Sequence, residues 1–419
     1  MSKRKALIIG TSIAGPSTAH FLSLAGYHIT IIERSPFLRP GGQAVDIRLF
    51  GVTVMRKIPG LEASILSASN QEDGIAFVNQ SGDVLGVIRS TGNPSQQGLV
   101  SEYEIDRGKL SRVLVDLTKH DPNVQYIFGE TISSFSPIPD SSDITVEFTN
   151  GTPTQTFDLV VACDGAHSRT RAMAFNCAVR KYMWPVNTWA AYFSIPSDLL
   201  DGSNIGHGFS TPGGLFISLS RDPDRGNKVM LMAVNQSDEN MEKFKTAVMN
   251  GDDALKDFVI ERYKGVGWKT AQVLLDMLDS EDFYASEIVQ VKPPTLHAGR
   301  VVLVGDAGYA AGPTGGGTSL AMVGGYMLAG ALSNHLDNIE SGLKEYEERM
   351  KPLIDEMQKI PPFVGTIMAP QTWWGIVLRN WIFAVVAWTG VAGFVQRYLG
   401  AAFADSNEYP LPEFEWMRS

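Results

Sequence analysis

Residues 299–328 read GRVVLVGDAGYAAGPTGGGTSLAMVGGYML, and the stretch divides into three parts. Arg300–Val304 is a short apolar run of mostly β-branched residues, the pattern of a buried strand, and Gly305-Asp306 ends it. A glycine-rich loop follows, Gly312-Pro313-Thr314-Gly315-Gly316-Gly317, and from Thr318 an apolar segment suits a long buried helix. A strand, a carboxylate and a bare loop feeding a helix N-terminus suit a large polar ligand. Asp306 can accept hydrogen bonds from hydroxyls. The glycines let backbone N–H groups approach a ring or phosphate, and the helix dipole favours partial negative charge there. Taken alone, the loop also fits a tight packing turn.

The N-terminus narrows the choice. Lys5–Ile9 (KALII) reads as a strand, and Gly10-Thr11-Ser12-Ile13-Ala14-Gly15 as the turn into a helix ending near Ala25, with Gly26 as its cap. Ile29–Ile32 is a second strand, ending in Glu33-Arg34. This is a βαβ unit with GxGxxG spacing, except that Ser12 holds the middle position. Ser12 is small enough to leave a pyrophosphate close to the backbone. Glu33 sits where a carboxylate can take both hydroxyls of an adenosine ribose. With its strand, helix and acid in place, the unit predicts dinucleotide binding.

Three further segments fall between these ends. Gly41-Gly42-Gln43-Ala44-Val45-Asp46 closes a proline-punctuated loop, either a simple turn or a second backbone approach to the ligand with Asp46 facing it. A helix is expected from about Asp106, which puts Arg107 in its first turn. A cation there opposes the helix dipole, so Arg107 either faces a phosphate or adenosine or is simply solvated. Asp143–Asn150 and Thr154–Ala162 read as a hairpin joined at Gly151, with Leu159–Cys163 buried and Asp164-Gly165 at the strand end, where α/β folds place ligands. His167 has no second ligand at metal spacing and reads as structural; no metal site is expected.

Composition excludes several classes. The chain has 419 residues, 44% of them hydrophobic and 19% charged, which is the make-up of a folded globular protein. A net charge of -10 gives no footprint for nucleic acid. Two cysteines, Cys163 and Cys177, make neither a disulfide framework nor a metal motif, in keeping with a reducing, cytoplasmic setting.

From Arg171 to Leu296 the texture becomes β-rich. Trp189–Ile195, Gly214–Ser220 and Lys228–Val234 are strand-like, and Asp252–Tyr263 and Thr270–Leu278 helical. Such a sheet would roof the ligand, with Met183, Trp184, Trp189, Tyr192, Phe193, Phe209, Phe216, Met230 and Met232 available as apolar walls, most of them equally ordinary core. Leu343–Lys359 is an amphipathic helix. Trp381–Val395 is an uncharged run bracketed by Arg379 and Arg397, shorter than the ~20 residues of a spanning helix. It reads as a buried or interfacial helix, and with Trp373, Trp374 and Trp388 it suits contact with a membrane surface as well as a core.

Four elements stand in order: GTSIAG with Glu33, the Arg107 segment, Asp164-Gly165, and GDAGYAAGPTGGGTS. Over roughly residues 3–355 this order closely resembles the FAD-dependent group A aromatic monooxygenases, the para-hydroxybenzoate hydroxylase fold. Within that family it is most similar to tetracycline-modifying monooxygenases and fungal hydroxylases of secondary metabolites. The resemblance implies an α/β fold with a Rossmann-like FAD-binding domain in two parts (1–170 and 297–365). A β-sheet substrate domain (171–296) would be inserted between them, and an apolar helical region (366–419) would follow. It implies bound FAD and NAD(P)H as a transient reductant. Gly10, Ser12, Gly15, Glu33 and Arg34 would then serve the adenosine and pyrophosphate. Asp46 would approach the flavin ring and Arg107 the adenosine half, while Asp164-Gly165 would stand near both nucleotides. Asp306 would bind the ribityl chain, and Pro313, Gly316, Gly317, Thr318 and Ser319 would line the isoalloxazine. Ser12, Tyr309 in place of a histidine, and the GGGTS loop depart from the family pattern.

The chemistry so implied is reduction of the flavin by NAD(P)H, addition of O2 at its C4a carbon, and oxygen transfer from the hydroperoxide to a small hydrophobic substrate. That substrate would be aromatic, polyketide or terpenoid-like. No catalytic residue is assigned; His207 and Tyr192 are weak candidate bases, each better suited to a core or loop role. Epoxidation and Baeyer–Villiger insertion fit the same scaffold, as does FAD binding without catalysis. Halogenation is disfavoured by the absence of a WxWxIP motif, and a simple NAD-dependent dehydrogenase by Asp306 and its loop.

Overall fold

The computed structural model describes residues 4–39, 41–70, 72–90, 101–137, 143–223, 225–360, 365, 369–388 and 410–415. The chain opens with β1 (Lys5–Ile9), α1 (Ala14–Leu24), β2 (His28–Glu33), β3 (Ala44–Asp46), α2 (Phe50–Lys57) and α3 (Leu61–Ala68). Then come β4 (Gly74–Val78), β5 (Val84–Arg89), β6 (Glu104–Asp106), α4 (Arg107–Asp116), β7 (Val124–Phe128), β8 (Ile132–Pro137), β9 (Ile144–Phe148), β10 (Gln155–Phe157), β11 (Leu159–Ala162) and α5 (Arg169–Ala174). The middle holds β12 (Met183–Ile195), β13 (Ile205–Thr211), β14 (Leu215–Asp222), β15 (Gly226–Ala233), α6 (Asp238–Met249), α7 (Asp252–Tyr263), α8 (Thr270–Leu278) and β16 (Tyr284–Val291). Last are β17 (His297–Ala298), β18 (Val301–Leu303), α9 (Asp306–Tyr309), α10 (Gly317–Asn334), α11 (Ile339–Met357) and α12 (Trp373–Trp388).

Six strands form a largely parallel sheet in the order β17-β18-β11-β1-β2-β7. The chain leaves β1 toward β2 on one side and later returns as β11 on the other. The carboxyl end of β1 is therefore the switch point at which such sheets bind ligands. Helix α10 is buried along nearly its whole length and packs against α1, α2 and α11, because its small residues allow close approach. Gly325 shows how close: a Cβ there would fall 2.8 Å from the Cα of Thr18.

The seven-stranded sheet runs β16-β12-β15-β14-β13-β4-β5. Its far edge, the β4–β5 hairpin, comes from residues 74–89, well before the β-rich middle of the chain. One face packs on α6, α7 and α8 through Trp189, Phe193, Phe209, Phe244 and Val259. Thr154–Ala162 is not one hairpin arm but two strands. Gln155–Phe157 pairs with β9, and Leu159–Ala162 pairs with β1 in the other sheet. Asp158 makes the crossing, its amide bonded to the Lys5 carbonyl at 2.9 Å and its carboxylate accepting from the Lys5 amide at 2.7 Å.

Candidate functional site

The βαβ glycines are there for want of room. Gly10 has φ +110°, and a Cβ on it would meet the Cys163 carbonyl oxygen at 2.6 Å. A Cβ on Gly15 would lie 1.9 Å from the Gly10 oxygen. The turn is thus closed against both β11 and its own start, leaving a bare cradle at the sheet's switch point. Glu33 ends β2 with one carboxylate oxygen accepting from the Thr11 amide (3.1 Å) and hydroxyl (3.0 Å), and the other from the Ser35 amide (3.0 Å). Arg34 is exposed beside it.

Arg107 is not a solvated surface cation. Its Nε donates to the Ser12 hydroxyl at 3.0 Å, its amide donates to the Gln43 carbonyl at 3.0 Å, and its side chain packs against Gly42. Its charge also reaches Asp306, whose carboxyl is pushed above the usual range by burial and partly restored by Arg107. A Cβ on Gly317 would stand 3.6 Å from an Asp306 oxygen. Ser319 is buried at the start of α10; its hydroxyl donates to the Arg48 carbonyl at 2.8 Å and accepts from the Arg48 amide at 2.9 Å. Arg48 in turn reaches one Asp46 oxygen at 3.1 Å, while the other Asp46 oxygen is buried with no hydrogen-bond partner. The fold thus gathers Ser12, Asp46, Arg107, Asp306, Gly317 and Ser319 from four separate stretches of chain.

Three expected residues have surroundings of their own. Asp164 is turned inward, accepting from the Ser168 hydroxyl (2.5 Å) and from the Thr170 amide (3.1 Å) and hydroxyl (3.0 Å). It thereby holds the start of α5, leaving Gly165 (φ +83°) with open space around it. Pro313 is exposed, and Gly316 is pressed against Met357.

A cavity of ≈ 430 Å³ lies between the β3–β6 pair and the open face of the seven-stranded sheet. Alternation along the strands decides the lining. Tyr192, Met230 and Ser218 form one cross-strand row, and Ser194, Lys228 and Ser220 the next. Opposite them, Asp46 pairs with Glu104 in register, and Asp106 follows two residues on. With Glu72 they make a floor rich in carboxylates. Glu72 is pushed up to about 7, first by burial and then by Asp46 and Asp106, against a Ser220 hydrogen bond and Lys228. Burial and the Glu72 and Asp46 charges likewise raise Glu104.

Of the apolar residues expected as walls, Tyr192 and Met230 face this cavity, while Phe193, of opposite parity, touches only its border and packs with the helix-side core. Trp189 and Phe209 are packed under the helices, Trp184 is exposed, and Phe216 and Met232 lie farther along the sheet with Ala369. The candidate bases are separated. His207 has the opposite parity to the cavity-facing Gly206 and tilts against Trp268 at 6.5 Å. Tyr192 lines the cavity, stacked on Tyr284 at 5.2 Å, and burial pushes its phenol up to about 12. It keeps its proton at neutral pH and can donate a hydrogen bond.

Sequence reading missed Arg171. It is fully buried and donates to the carbonyls of Ala307 (2.7 Å), Ala166 (2.8 Å) and Val179 (2.8 Å), tying the Asp164 loop to the segment after Asp306. An arginine in the short DGAHSRTRAM segment gave only a weak signal. The carboxylate floor was equally hidden, because Glu72, Glu104 and Asp106 carry no motif.

The C-terminal helix α12 spans Trp373–Trp388; the rest of the expected Trp381–Val395 run, and Arg397, lie outside the described residues. Arg379 is buried, donating to the Ser210 hydroxyl at 2.7 Å and resting 5.4 Å over the Phe77 ring. Trp373, Trp374, Val377, Leu378, Trp381 and Ile382 are exposed. Among the described residues no helix is long and apolar enough to cross a membrane, and no cluster suited to a metal ion occurs.

A family profile described as "FAD binding domain" matches residues 3–359. The FAD-dependent monooxygenase asL4 of Sarocladium schorii is 31% identical over 92% of this chain and 93% of its own length. Monooxygenase CTB7 of Cercospora beticola is 32% identical over 93% and 94%. Among solved structures, the tetracycline destructase Tet(51) superposes with a TM-score of 0.77 at 27% identity, covering 99% of this chain and 100% of that one.

Proposed function

The chain belongs to the FAD binding domain family, and on that premise we propose that it is a flavin-dependent monooxygenase acting on a neutral, hydroxyl-bearing aromatic molecule held in the cavity. The single observation behind the substrate class is the carboxylate floor of Asp46, Glu72, Glu104 and Asp106 beneath Tyr192 and Met230. Even with Glu72 and Glu104 shifted toward their neutral forms and Asp106 paired to Lys228, acids outnumber bases in the lining, which disfavours an anion. The carboxyl oxygens accept hydrogen bonds from hydroxyls, while the tyrosine and methionine take the flat apolar part.

The residues fit FAD. Gly10 and Gly15 leave a cradle that any Cβ would fill, Arg107 and Ser12 stand beside it, and one buried Asp46 oxygen is left without a protein partner. Ser12, Glu33, Arg34 and Arg107 would hold the adenosine and pyrophosphate, Asp306 the ribityl hydroxyls, and Pro313, Gly316, Gly317, Thr318 and Ser319 the ring. Gly165 offers open backbone nearby. When bound, FAD supplies hydride uptake from NAD(P)H and the activation of O2. The protein's share is to bind, orient and exclude water. Tyr192 donates a hydrogen bond to a substrate oxygen, and Glu72 and Glu104, whose pKa values burial raises, take up or hold the proton of a substrate hydroxyl.

The test is a spectral titration. FAD-loaded protein is mixed anaerobically with NADPH or NADH, with and without neutral polyphenols or their carboxylated analogues. Faster bleaching with the neutral compounds supports the reading. Preference for the carboxylated analogues would overturn the substrate class, and a chain that retains no flavin would overturn the whole.

A second reading concerns α12. Its exposed face repeats at positions 373, 377 and 381 and at 374, 378 and 382, with three tryptophans 59–70% exposed. Indole at an apolar face is the composition of a membrane–water interface, which supports docking on a lipid surface. Co-flotation with phosphatidylcholine vesicles that disappears in Trp373→Ser/Trp381→Ser protein is expected; no flotation of the parent chain would sink it.

A further inference from the structure

We propose that Lys228 is a positioning residue that ties the substrate sheet to the cofactor-facing Arg107, so that the roof of the cavity helps to set the protein's grip on FAD. The inference rests on the FAD reading above. Lys228 lies on β15 and reaches across the cavity to β6, where its ammonium donates to both Asp106 oxygens at 2.6 and 2.7 Å and to the Asn70 side-chain oxygen at 3.4 Å. Both partners are largely withdrawn from water, the side chains being 19% and 8% exposed. A pair of this kind fixes geometry more than an exposed one does.

Asp106 is the residue before Arg107 and the N-cap of α4. The backbone it fixes places the Arg107 amide on the Gln43 carbonyl and the guanidinium on Ser12, inside the βαβ turn. The path from substrate roof to dinucleotide cradle is therefore Lys228, Asp106, Arg107, Ser12, each step a hydrogen bond or a peptide link. Lys109 also reaches Asp106, at 3.1 Å, but it belongs to the same helix as Arg107 and connects nothing to the roof. That difference separates a tie between sheets from simple charge balance on Asp106.

The experiment measures FAD affinity of the full chain by flavin fluorescence quenching, with the thermal unfolding of each flavin-free variant recorded alongside. Lys228→Met and Lys228→Gln are expected to weaken FAD binding by about tenfold, Lys228→Arg to stay within about twofold of the parent, and Lys109→Met likewise, since truncating one partner of a buried charge pair costs most where that pair sets geometry. The Gln variant carries the test if the Met variant does not fold. The proposal is overturned if both neutral variants bind FAD as the parent does, if Lys109→Met weakens binding as much, or if Lys228→Arg fails to restore it. A parent chain that binds no FAD would instead refute the family-based reading of the site.

Discussion

Arg171 and Ala307 lie 136 positions apart, yet the guanidinium of the first donates to the carbonyl of the second at 2.7 Å. Two more carbonyls, of Ala166 and Val179, complete its shell. Burial lowers the pKa of this guanidinium, with Asp164 pulling it back. The bond joins the loop after β11 to the residue that follows Asp306.

Replacing Arg171 by leucine leaves three carbonyls, one in a buried and two in half-buried contacts, without their donor in exchange for a modest apolar gain. A loss of roughly 3 kcal/mol is expected, each orphaned group costing ~1 kcal/mol or more. Urea denaturation should show a lower midpoint with an unchanged slope, and FAD affinity should fall as Asp306 loses its support. An unchanged midpoint would mean that water replaces the guanidinium.

Glycines in the same site part company under substitution. Gly15→Ala drives a Cβ to 1.9 Å from the Gly10 oxygen, a backbone atom with nowhere to go, so FAD binding should drop by well over tenfold. Gly165→Ala meets nothing within 4 Å and pays only for its φ of +83°, about 1 kcal/mol. Equilibrium dialysis against FAD, run beside thermal melts, distinguishes the two: the first variant fails in binding, the second only slightly in stability.

How much of this was legible beforehand depends on whether a residue's signal is local. Gly10, Gly15 and Glu33 announce themselves because a βαβ turn has a fixed spacing, and helices at Asp252–Tyr263 and Thr270–Leu278 were legible in their own segments. Arg107 could be placed in a first turn but not given a partner, since Ser12 is 95 positions away. The β4–β5 hairpin joins a sheet whose other strands begin only at Met183, and nothing in its own sequence says so. Which of the expected wall residues are walls and which are core was not legible for a similar reason. Alternation shows that two faces differ, not which one meets the helices, and Trp189 and Phe209 went under α6–α8.

Glu72 makes the flavin-free protein sensitive to pH in an unusual sense. Its folded pKa of about 7 stands above the ordinary 4.5, so the stability it contributes is fully present below pH 4.5 and is lost as pH rises through 7. Glu104 is shifted the same way and steepens the loss. Glu72→Gln stays neutral throughout. Its melting temperature should match the parent's near pH 4.5 and exceed it by a few degrees at pH 8. A constant gap across that range would show that Glu72 does not titrate there.

Gln290 and Gln358 brace the entrance to the glycine-rich loop from two sides. The Gln290 amide donates to the carbonyls of Ala311 (3.1 Å) and Gln358 (2.7 Å), and the Gln358 amide to those of Val291 (2.9 Å) and Ala310 (3.0 Å). Each glutamine thus holds both the loop and the strand or helix behind it, and the Gln290 amide is bound to the main chain of Gln358 itself. Leucine at either position should cost about 1–2 kcal/mol, and the double variant clearly less than the sum, because neighbours in one hydrogen-bond network do not add. FAD affinity should follow the same pattern, since Ala310 and Ala311 lead directly into Gly312–Gly317. A double-mutant cycle in urea measures the coupling, and strict additivity would show that the two side chains act on the loop independently.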